Sequence, residues 1–496
     1  MPDIVTPEWV KHAVFYQIFP DRFAKSDRVE KPGNLEPWDS DPTVHGYKGG
    51  DLLGVAEHLD YLQELGVTAL YFNPIFQSAA NHRYHTHDYY QVDPLLGGNA
   101  AFDELLAACK SRGLRVILDG VFNHASRGFF QFSDILESGQ ESAWRDWFLL
   151  DGGPINAYDE SKPAGYQSWW GLRALPKLNT GNAQVREFIM RVGEHWIRRG
   201  IDGWRLDVPN EISTPGFWQE FRQRVKAINP EAYIVGEIWE DSRPWLQGDQ
   251  FDGVMNYVLT EALIQFVVGP RTDLDAVKDR GYHPQTPIDA GGYADKIDWL
   301  LGLYPWPIEE TQYNLLDSHD TARFLTIAGG DEASVRLALL LLFTFPGAPS
   351  IYYGDEIGLS GGLPDQWARK TFPWDRPDSW NRGLLHYYKE MIRLRKANPA
   401  LRAGAYRRLY AGEGVYAFAR ELDGQTLVVA VNVDDAPRAA RFDVPSTLAP
   451  QRPIRLFGSA RIEGADGSGV TLALQPRSGG VFTWPGPART MTGTGP

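Results

Sequence analysis

The rest of the chain is arranged around the stretch Gly203–Glu211 (GWRLDVPNE). It is typical of a short buried strand that ends in polar residues. Successive side chains of a strand point to opposite faces, so its apolar residues share one face while Arg205 and Asp207 share the other. A buried carboxylate is normally paired or used in chemistry. We therefore expect Arg205 and Asp207 to form a structural ion pair or to belong to an active site.

Similar apolar runs recur on both sides of this stretch and alternate with helical patterns. The predicted strands are Val14–Phe19, Thr68–Asn73, Arg115–Asp119, Ile201–Asp207, Ala232–Glu237, Phe251–Met255, Asn314–Leu316 and Ser350–Tyr353. The predicted helices are Asp51–Leu65, Ala100–Arg112, Ala183–Arg199, Phe217–Ile228, Ser334–Phe345 and Arg382–Lys396. Nearly continuous apolar strands are typical of buried parallel sheets. No Gly-x-Gly-x-x-Gly follows any strand, so an α/β fold with a closed (β/α)₈ TIM barrel is favoured over an open doubly wound sheet.

The domain organisation follows from breaks in this rhythm. We expect the barrel to comprise residues 1–123 and 183–400, with residues 124–182 as a small subdomain inserted after the third strand, over the active site. Alternating strands then predict a C-terminal antiparallel β-sandwich over residues 401–488, and a disordered tail over 489–496. The sandwich strands are predicted at Val415–Ala419, Thr426–Asn432, Ala439–Val444 and Gly480–Trp484.

Composition excludes several classes of partner. A net charge of -14 argues against a nucleic-acid partner, and the longest apolar run, Leu337–Pro346, is too short to cross a membrane. The single cysteine, Cys109, excludes an intramolecular disulfide and a cysteine-built zinc site. With no signal-peptide pattern at the start of the chain, we expect a cytoplasmic protein.

Three carboxylates follow predicted strands at the end where barrel enzymes place their active sites. They are Asp207 after the fourth strand, Glu237 after the fifth and Asp320 after the seventh. Glycoside hydrolysis needs two carboxyl groups on either side of the scissile bond, one to donate a proton and one to attack or to activate water. Any one of these residues alone could instead cap a helix or form a salt bridge, but their convergence favours the active-site interpretation.

The polar motifs together resemble the alpha-amylase superfamily, glycoside hydrolase family 13, closest to its cyclomaltodextrinase, neopullulanase and maltogenic amylase group. The motifs that carry the resemblance are Asp119–His124 (DGVFNH), Gly203–Glu211, Gly236–Trp239 (GEIW), Leu316–Asp320 (LDSHD), Gly49–Leu52 (GGDL), Pro176–Asn179 (PKLN) and Gly347–Glu356 (GAPSIYYGDE). This chain begins almost directly at the first barrel strand, so we expect it to lack the extra N-terminal domain of that group.

The resemblance implies a retaining mechanism with Asp207 as nucleophile, Glu237 as acid/base and Asp320 as the third catalytic carboxylate. Arg205 would hold Asp207 ionised. The resemblance further implies a set of substrate-binding residues. They are Tyr89 stacking under the sugar at the cleavage point, His124 and His319 on its hydroxyls, Asp365 and Arg369 on the next sugar, Trp239 on the leaving-group side, and Asn210 and Glu211 as the subgroup's mark at the end of the fourth-strand motif.

No cofactor is expected, and structural calcium is left open, since Lys25 stands where many relatives have an asparagine and would repel a hard cation. The cluster His82, His85 and His87 is not interpreted as a metal site, because His87 lies in the sugar-binding loop.

The resemblance implies hydrolysis of α-1,4 bonds, with α-1,6 bonds left open, in cyclomaltodextrins, maltooligosaccharides or pullulan, with transglycosylation as a side reaction. An α-glucosidase or glucanotransferase on the same scaffold and a non-catalytic glucan-binding homologue are the alternatives. Whether the protein is a monomer or a dimer is left open.

Overall fold

The computed structural model describes residues 4–278, 280–282, 284–443, 453–466 and 469–484. Its centre is a sheet of eight parallel strands in the order β6-β5-β4-β3-β2-β1-β8-β7. The strands are β1 Phe15–Ile18, β2 Ala69–Phe72, β3 Arg115–Gly120, β4 Gly203–Leu206, β5 Tyr233–Gly236, β6 Gly253–Val254, β7 Tyr313–Asn314 and β8 Ala348–Tyr352. Each predicted strand is present, shifted or shortened by a few residues.

The sheet closes on itself between β6 and β7. Met255 forms a parallel bridge with Tyr313, and the Asn256 amide donates to the Tyr313 carbonyl at 2.8 Å. Closure confirms the predicted TIM barrel and brings the carboxyl ends of all eight strands to one rim.

The fourth strand packs so tightly on the fifth that only glycine fits at its first position. A Cβ on Gly203 would lie 2.2 Å from the Tyr233 carbonyl oxygen. The close approach fixes β4 against β5, with Leu206 paired to Gly236. The residues that follow these two strands, Asp207 and Glu237, therefore emerge side by side.

Helices surround the barrel. Those of four or more residues are Glu8–Lys11, Pro20–Phe23, Leu52–Glu57, Leu59–Leu65, Gly98–Ser111, Phe130–Ser138, Ala183–Arg199, Phe217–Ile228, Tyr257–Leu263 continued by a π turn at Ile264–Val268, Ala290–Leu301, Trp306–Glu309, Phe324–Ile327, Glu332–Thr344, Arg382–Ala397 and Pro399–Ala403. The predicted single helix Asp51–Leu65 is broken at His58, whose Nδ1 lies 2.8 Å from the Gly54 carbonyl oxygen and whose ring packs on Trp374. The side chain thus takes over a backbone acceptor, which interrupts the helix.

Between β3 and the helix Ala183–Arg199 lies the segment that was predicted to be an inserted subdomain. It contains the helix Phe130–Ser138 and is held together by isolated antiparallel bridges, among them Leu150 with Tyr166 and Ser168 with Pro176. The bridge between His124 and Lys177 ties both ends of this segment to the rim of the barrel.

The C-terminal part confirms the predicted antiparallel architecture, with more strands than the pattern indicated. The strands are β9 Ala405–Gly412, β10 Val415–Leu422, β11 Gln425–Asn432, β12 Arg438–Asp443, β13 Ile454–Gly458, β14 Arg461–Ala465, β15 Gly469–Leu474 and β16 Ser478–Thr483. They form one sheet in the order β9-β10-β11-β16-β13 and another in the order β12-β15-β14. The prediction missed β9 and β13 to β15. The predicted tail 489–496 lies outside the described residues.

Within the described part of the chain, we find no helix that is both long enough and apolar enough to cross a bilayer.

Candidate active site

The three predicted carboxylates lie at the carboxyl rim of the barrel. The Asp207 amide donates to the Gly120 carbonyl at 3.1 Å, and the Glu237 amide donates to the Leu206 carbonyl at 2.9 Å. These backbone bonds continue the parallel ladder for one residue beyond the strands, so the side chains are positioned by the sheet itself. Asp207 and Glu237 are buried, and Asp320, in the loop after β7, is partly exposed.

Arg205 holds the centre of the site. Its Nη1 lies 2.9 Å from Asp119 Oδ1 and 3.0 Å from Asp207 Oδ1, and its Nη2 lies 2.9 Å from Glu237 Oε2. The residue is 1% exposed, so these contacts form in a medium that screens them weakly. The structure brings Arg205 and Asp207 together as predicted and adds Asp119 and Glu237 to the same cation.

Burial raises the pKa of Glu237 above that of an ordinary glutamate, and the charge of Arg205 offsets this only in part. Burial also raises the pKa of Asp207 well above its usual range, with repulsion from Glu237 as the next cause, against the opposing effect of Arg205. Two such carboxyls titrate as a pair. When Glu237 is protonated, its repulsion disappears, and Arg205 then favours the ionised form of Asp207.

The residue after Asp207 has a strained backbone. Val208 has φ 35° and ψ 52°, the left-handed region, which a β-branched residue adopts rarely and at a cost of about 1–3 kcal/mol. This turn directs the Val208 amide at Glu237 Oε2, 3.2 Å away. A strained backbone at the junction of the two central carboxylates is typical of a functional site.

His319 is embedded in a hydrogen-bond network that fixes its tautomer. Gln17 Nε2 lies 2.9 Å from Nδ1 and also donates to Asn73, so Nδ1 is the acceptor and Nε2 carries the proton. Nε2 faces the Tyr84 hydroxyl at 2.6 Å and Asp320 Oδ2 at 3.0 Å. Burial lowers the pKa of His319 well below its usual range, which keeps the ring neutral.

The assignment of Tyr89 to the sugar face is wrong. Tyr89 is 1% exposed, its ring packs among Phe76, Phe122 and Phe129, and its hydroxyl donates to the Val121 carbonyl at 2.8 Å. Both faces of the ring are therefore in the protein core, and no sugar can stack on it.

The aromatic residue that reaches the site from this segment is Tyr84, which the sequence analysis missed. Its ring stacks on His319, with centroids 5.4 Å apart and planes 6° apart, and its hydroxyl donates to Asp119 Oδ2 at 2.8 Å. A second tyrosine, Tyr71, donates to the same oxygen at 2.6 Å. Position along the chain could have indicated Tyr84, because it precedes the strand Thr86–Val92 and lies at the rim of the barrel.

His124 presents one nitrogen without a partner. Its Nδ1 lies 3.2 Å from the Asn123 amide nitrogen, while its buried Nε2 has no hydrogen-bond partner. Burial lowers the pKa of His124 to about 3, so the ring is neutral. An unsatisfied polar atom of this kind at a rim is well suited to a substrate hydroxyl.

Trp239 and the pair Asp365 and Arg369 flank the carboxylates. Trp239 Nε1 donates to Glu237 Oε1 at 3.1 Å, and its ring stacks on Tyr257 with centroids 3.6 Å apart. Arg369 Nη2 lies 3.3 Å from both Asp365 Oδ2 and Asp320 Oδ1. The structure thus brings these three predicted residues to the central cluster.

Asn210 and Glu211 are not in the central cluster. They lie in the 3₁₀ turn Pro209–Glu211 and are exposed at the rim. Glu211 Oε2 pairs with Lys177 Nζ at 2.9 Å, a contact between the rim and the inserted segment. Their position suits a sugar further along a chain better than the one being cleaved.

Residues 23–50 form the loop that contains Lys25 and in which calcium was considered, and lysines of this loop already occupy the nearby oxygen atoms. Lys31 Nζ lies 3.1 Å from Asp51 Oδ2 and 2.5 Å from the Leu95 carbonyl oxygen. Lys48 Nζ donates to the carbonyls of Pro37 at 2.8 Å and Ser40 at 2.7 Å. Since ammonium groups take these oxygens, the residues do not fit a hard divalent cation. More generally, no group of three or more His, Cys, Asp and Glu side chains that could hold a metal occurs among the described residues.

Comparison with known proteins agrees with this geometry. Residues 17–371 match the model of the alpha amylase catalytic domain, and residues 406–480 match that of the maltogenic amylase C-terminal domain. A cyclomaltodextrinase from a Bacillus species is 44% identical over 443 residues, which are 88% of this chain and 75% of the relative.

Similar solved structures match nearly the whole chain, and two of them are described here. The debranching enzyme of Nostoc punctiforme is 55% identical with a TM-score of 0.90, covering 97% of this chain and 99% of the other. The cyclic alpha-maltosyl-(1→6)-maltose hydrolase of Arthrobacter globiformis is 36% identical with a TM-score of 0.84, at 97% and 99% coverage. The chain therefore belongs to the alpha-amylase family of glycoside hydrolases.

Proposed function

We propose that this protein hydrolyses α-glucosidic bonds in cyclomaltodextrins, maltooligosaccharides or pullulan, with retention of configuration. The observation that carries the proposal is the contact of one buried guanidinium, that of Arg205, with both Asp207 and Glu237. A shared cation lets one carboxyl be ionised while its neighbour keeps a proton. Double displacement at a sugar needs an ionised carboxylate as nucleophile and a protonated carboxyl as acid.

In the first step, an Asp207 oxygen attacks the anomeric carbon while the bond to the leaving glycosidic oxygen breaks. Glu237 transfers its proton to that oxygen, and the sugar remains as an ester of Asp207. In the second step, ionised Glu237 takes a proton from water, the water oxygen attacks the same carbon, and the Asp207 carboxylate is released. Asp320 and neutral His319 would bind hydroxyls of the distorted sugar.

The names of the similar proteins support this range of substrates. The Bacillus relative is named for cyclomaltodextrins, the Nostoc protein for debranching and the Arthrobacter protein for a cyclic sugar with α-1,6 links. Within this proposal the bonds cleaved are α-1,4 links, with α-1,6 links as the finer alternative. An α-glucosidase or a glucanotransferase on the same site would leave different product sizes.

Two further properties stay predictions from the sequence. We propose that the protein acts in the cytoplasm, supported by its single cysteine, the buried Cys109, which forms no disulfide. For the oligomeric state, monomer and dimer are both compatible with the proposed chemistry, because every central group comes from this chain.

The test is a substrate panel of β-cyclodextrin, maltotriose, pullulan, soluble starch and sucrose, with product sizes measured by chromatography. We expect hydrolysis of the first three, with products shorter than the substrate. The matched variants are Asp207→Asn and Glu237→Gln, which should lose several orders of magnitude in rate. Asp60→Asn, an exposed carboxylate paired to Arg112, is the control. Near wild-type hydrolysis by Asp207→Asn would overturn the mechanism, and products that are mainly longer than the substrate would favour a transferase.

A further inference from the structure

The inserted segment carries an exposed tryptophan in a backbone conformation that such a residue rarely adopts. Trp170 is 79% exposed and has φ 50° and ψ 24°, in the left-handed region. Neither the exposure of a large indole nor this conformation stabilises the folded chain. The central carboxylates make no use of this residue, so its strain calls for another explanation.

The surrounding backbone holds Trp170 in this position. The Trp169 amide donates to the Leu175 carbonyl at 3.0 Å, and the Leu172 amide donates to the Trp169 carbonyl at 2.9 Å. Ser168 forms a bridge with Pro176 across the base of the loop. The loop is thus closed by hydrogen bonds on both sides of Trp170, which is how a strained residue persists.

Trp170 is connected to the active site through stacked rings. Its indole stacks on that of Trp169, with centroids 4.5 Å apart and planes 8° apart. Trp169 stacks in turn on His124, with centroids 5.4 Å apart and planes 21° apart. His124 carries the buried Nε2 without a partner. The row of rings runs from His124, which follows β3 at the rim of the barrel, to an indole face in solvent.

We propose that Trp169 and Trp170 form a glucan-binding platform on which a glucose unit outside the cleavage point stacks on the exposed face of Trp170. The inference rests on the proposed function and adds a specificity-determining residue to it. A pyranose offers a C–H-rich face that suits a flat aromatic ring, and the ring loses little conformational freedom on binding. Because the rings continue to His124, which the proposed function places at the cleavage point, the occupant is the glucan substrate itself.

The position predicts a dependence on chain length. One whole ring, Trp169, separates Trp170 from His124, so a substrate that fills only the places next to the cleavage point does not reach the platform. A longer chain does. Loss of the Trp170 ring should therefore lower kcat/KM for maltoheptaose and starch and leave kcat/KM for maltotriose nearly unchanged.

The informative variant is Trp170→Gly, because glycine adopts the left-handed conformation without cost and the fold should not suffer. We expect its melting temperature to equal or exceed that of the wild type. Its kcat/KM for maltoheptaose should fall about tenfold, equivalent to about 1.4 kcal/mol, and that for maltotriose should change less than about twofold. Trp170→Phe should retain most of the activity on maltoheptaose. The control is Trp299→Ala, which removes another exposed indole, 49% exposed on the helix Ala290–Leu301. Alanine replaces Trp299 because glycine would destabilise this helix.

A binding measurement separates the platform from the chemistry. In the Glu237→Gln background, calorimetric titration with maltoheptaose should show weaker binding when Trp170→Gly is added. If wild-type protein hydrolyses no α-glucan, the proposed function fails. If the wild type hydrolyses α-glucans and Trp170→Gly has the same kcat/KM as the wild type on both maltoheptaose and maltotriose, only the platform proposal fails. A Trp170→Gly variant with unchanged kinetics that turns a dimer into a monomer in sedimentation would assign the indole to a second copy of the chain and also overturn the platform.

Discussion

The guanidinium of Arg205 lies 2.9 Å from the carboxylate of Glu237, Nη2 to Oε2. Nη2 has no hydrogen-bond partner by geometry, so this contact acts through charge more than through a directed bond. The proposed acid/base and the proposed nucleophile are thus governed by one cation. A substitution that weakens the contacts of the Arg205 charge should therefore shift the pKa of both Asp207 and Glu237.

We therefore predict that Arg205→Lys moves both limbs of the pH profile of kcat/KM to higher pH. Burial raises the pKa of both carboxyls and Arg205 opposes it. A single ammonium cannot reach Asp119, Asp207 and Glu237 together, so the opposing effect weakens and each pKa rises. The acidic limb reports deprotonation of the nucleophile and the alkaline limb that of the acid. Activity at neutral pH should fall about 100-fold or more.

The control for this experiment is Arg222→Lys, which changes the same residue type at a pair with Asp252 on the outside of the barrel. Its pH profile should match that of the wild type. An Arg205→Lys profile that falls in height without moving along the pH axis would contradict the shared-cation account.

Tyr84 and Tyr89 give a matched pair of predictions. Tyr84→Ala removes the ring that stacks on His319 and should lower kcat/KM by about tenfold or more on maltotriose as well as on long substrates. Tyr89→Phe should leave kcat/KM unchanged and lower the free energy of unfolding by about 1 kcal/mol, because the buried Val121 carbonyl loses its donor. Kinetics on maltotriose and urea unfolding measure the two effects. Loss of activity in Tyr89→Phe with full activity in Tyr84→Ala would reverse the assignment.

The same two tyrosines show where sequence reasoning ends. The carboxylates follow strands that the apolar runs predict, so the place of Asp207 and Glu237 could be inferred from strand ends alone. Tyr84 lies in the loop that joins the two strands of a hairpin, Phe76–Ser78 and Thr86–Val92, so the direction of its side chain depends on how this loop folds onto the barrel. A motif with several tyrosines cannot decide which one faces the cleft.

Contacts between side chains of different strands also could not be predicted from the sequence. A pairing of Arg205 with Asp207 follows from strand alternation, but its contact with Glu237 depends on the register between β4 and β5. Of the four missed strands in the C-terminal sheets, β9, β13 and β14 are sheet edges made of exposed and half-buried residues, whereas β15 is the mostly buried central strand of its sheet. Arg461–Ala465 alternates exposed and half-buried residues and offers no apolar run to detect.

Glu309 gives a prediction for stability. It is buried, its Oε1 has no partner, and burial raises its pKa to about 8. The folded protein therefore keeps a proton that the unfolded chain releases near pH 4.5, so stability falls as the pH rises from about 4.5 to about 8. At pH 7 the proton retained on Glu309 lowers the free energy of unfolding by about 3 kcal/mol.

Glu309→Gln should remove this pH dependence. Its melting temperature should differ little from the wild type at pH 4.5, and the variant should become the more stable of the two as the pH rises to 8. Thermal unfolding followed by circular dichroism across this range measures the difference. A constant difference at all pH values would mean that Glu309 does not titrate in this window.

The lysine-filled loop predicts that stability does not depend on calcium. Excess chelator should leave the melting temperature unchanged, because Lys31 already neutralises Asp51. Lys31→Met should cost about 3 kcal/mol by leaving that buried carboxylate without its cation. Lys162→Met, at an exposed pair with Asp159, is the control. A rise in melting temperature of several degrees on adding calcium to the wild type would contradict this account.

The most direct test of the mechanism is to trap the covalent intermediate. In a 5-fluoro-α-glycosyl fluoride the ring fluorine slows both steps, because it destabilises the positive charge that develops at the sugar. The anomeric fluoride departs easily as fluoride ion, so the ester still forms and then accumulates because its hydrolysis is slow. Incubation with the wild-type protein, followed by proteolysis and mass spectrometry, locates the sugar. The mechanism proposed above predicts one sugar per chain, attached to the Asp207 carboxylate. A sugar attached to Glu237 or Asp320, or turnover with inverted product and no ester, would contradict it.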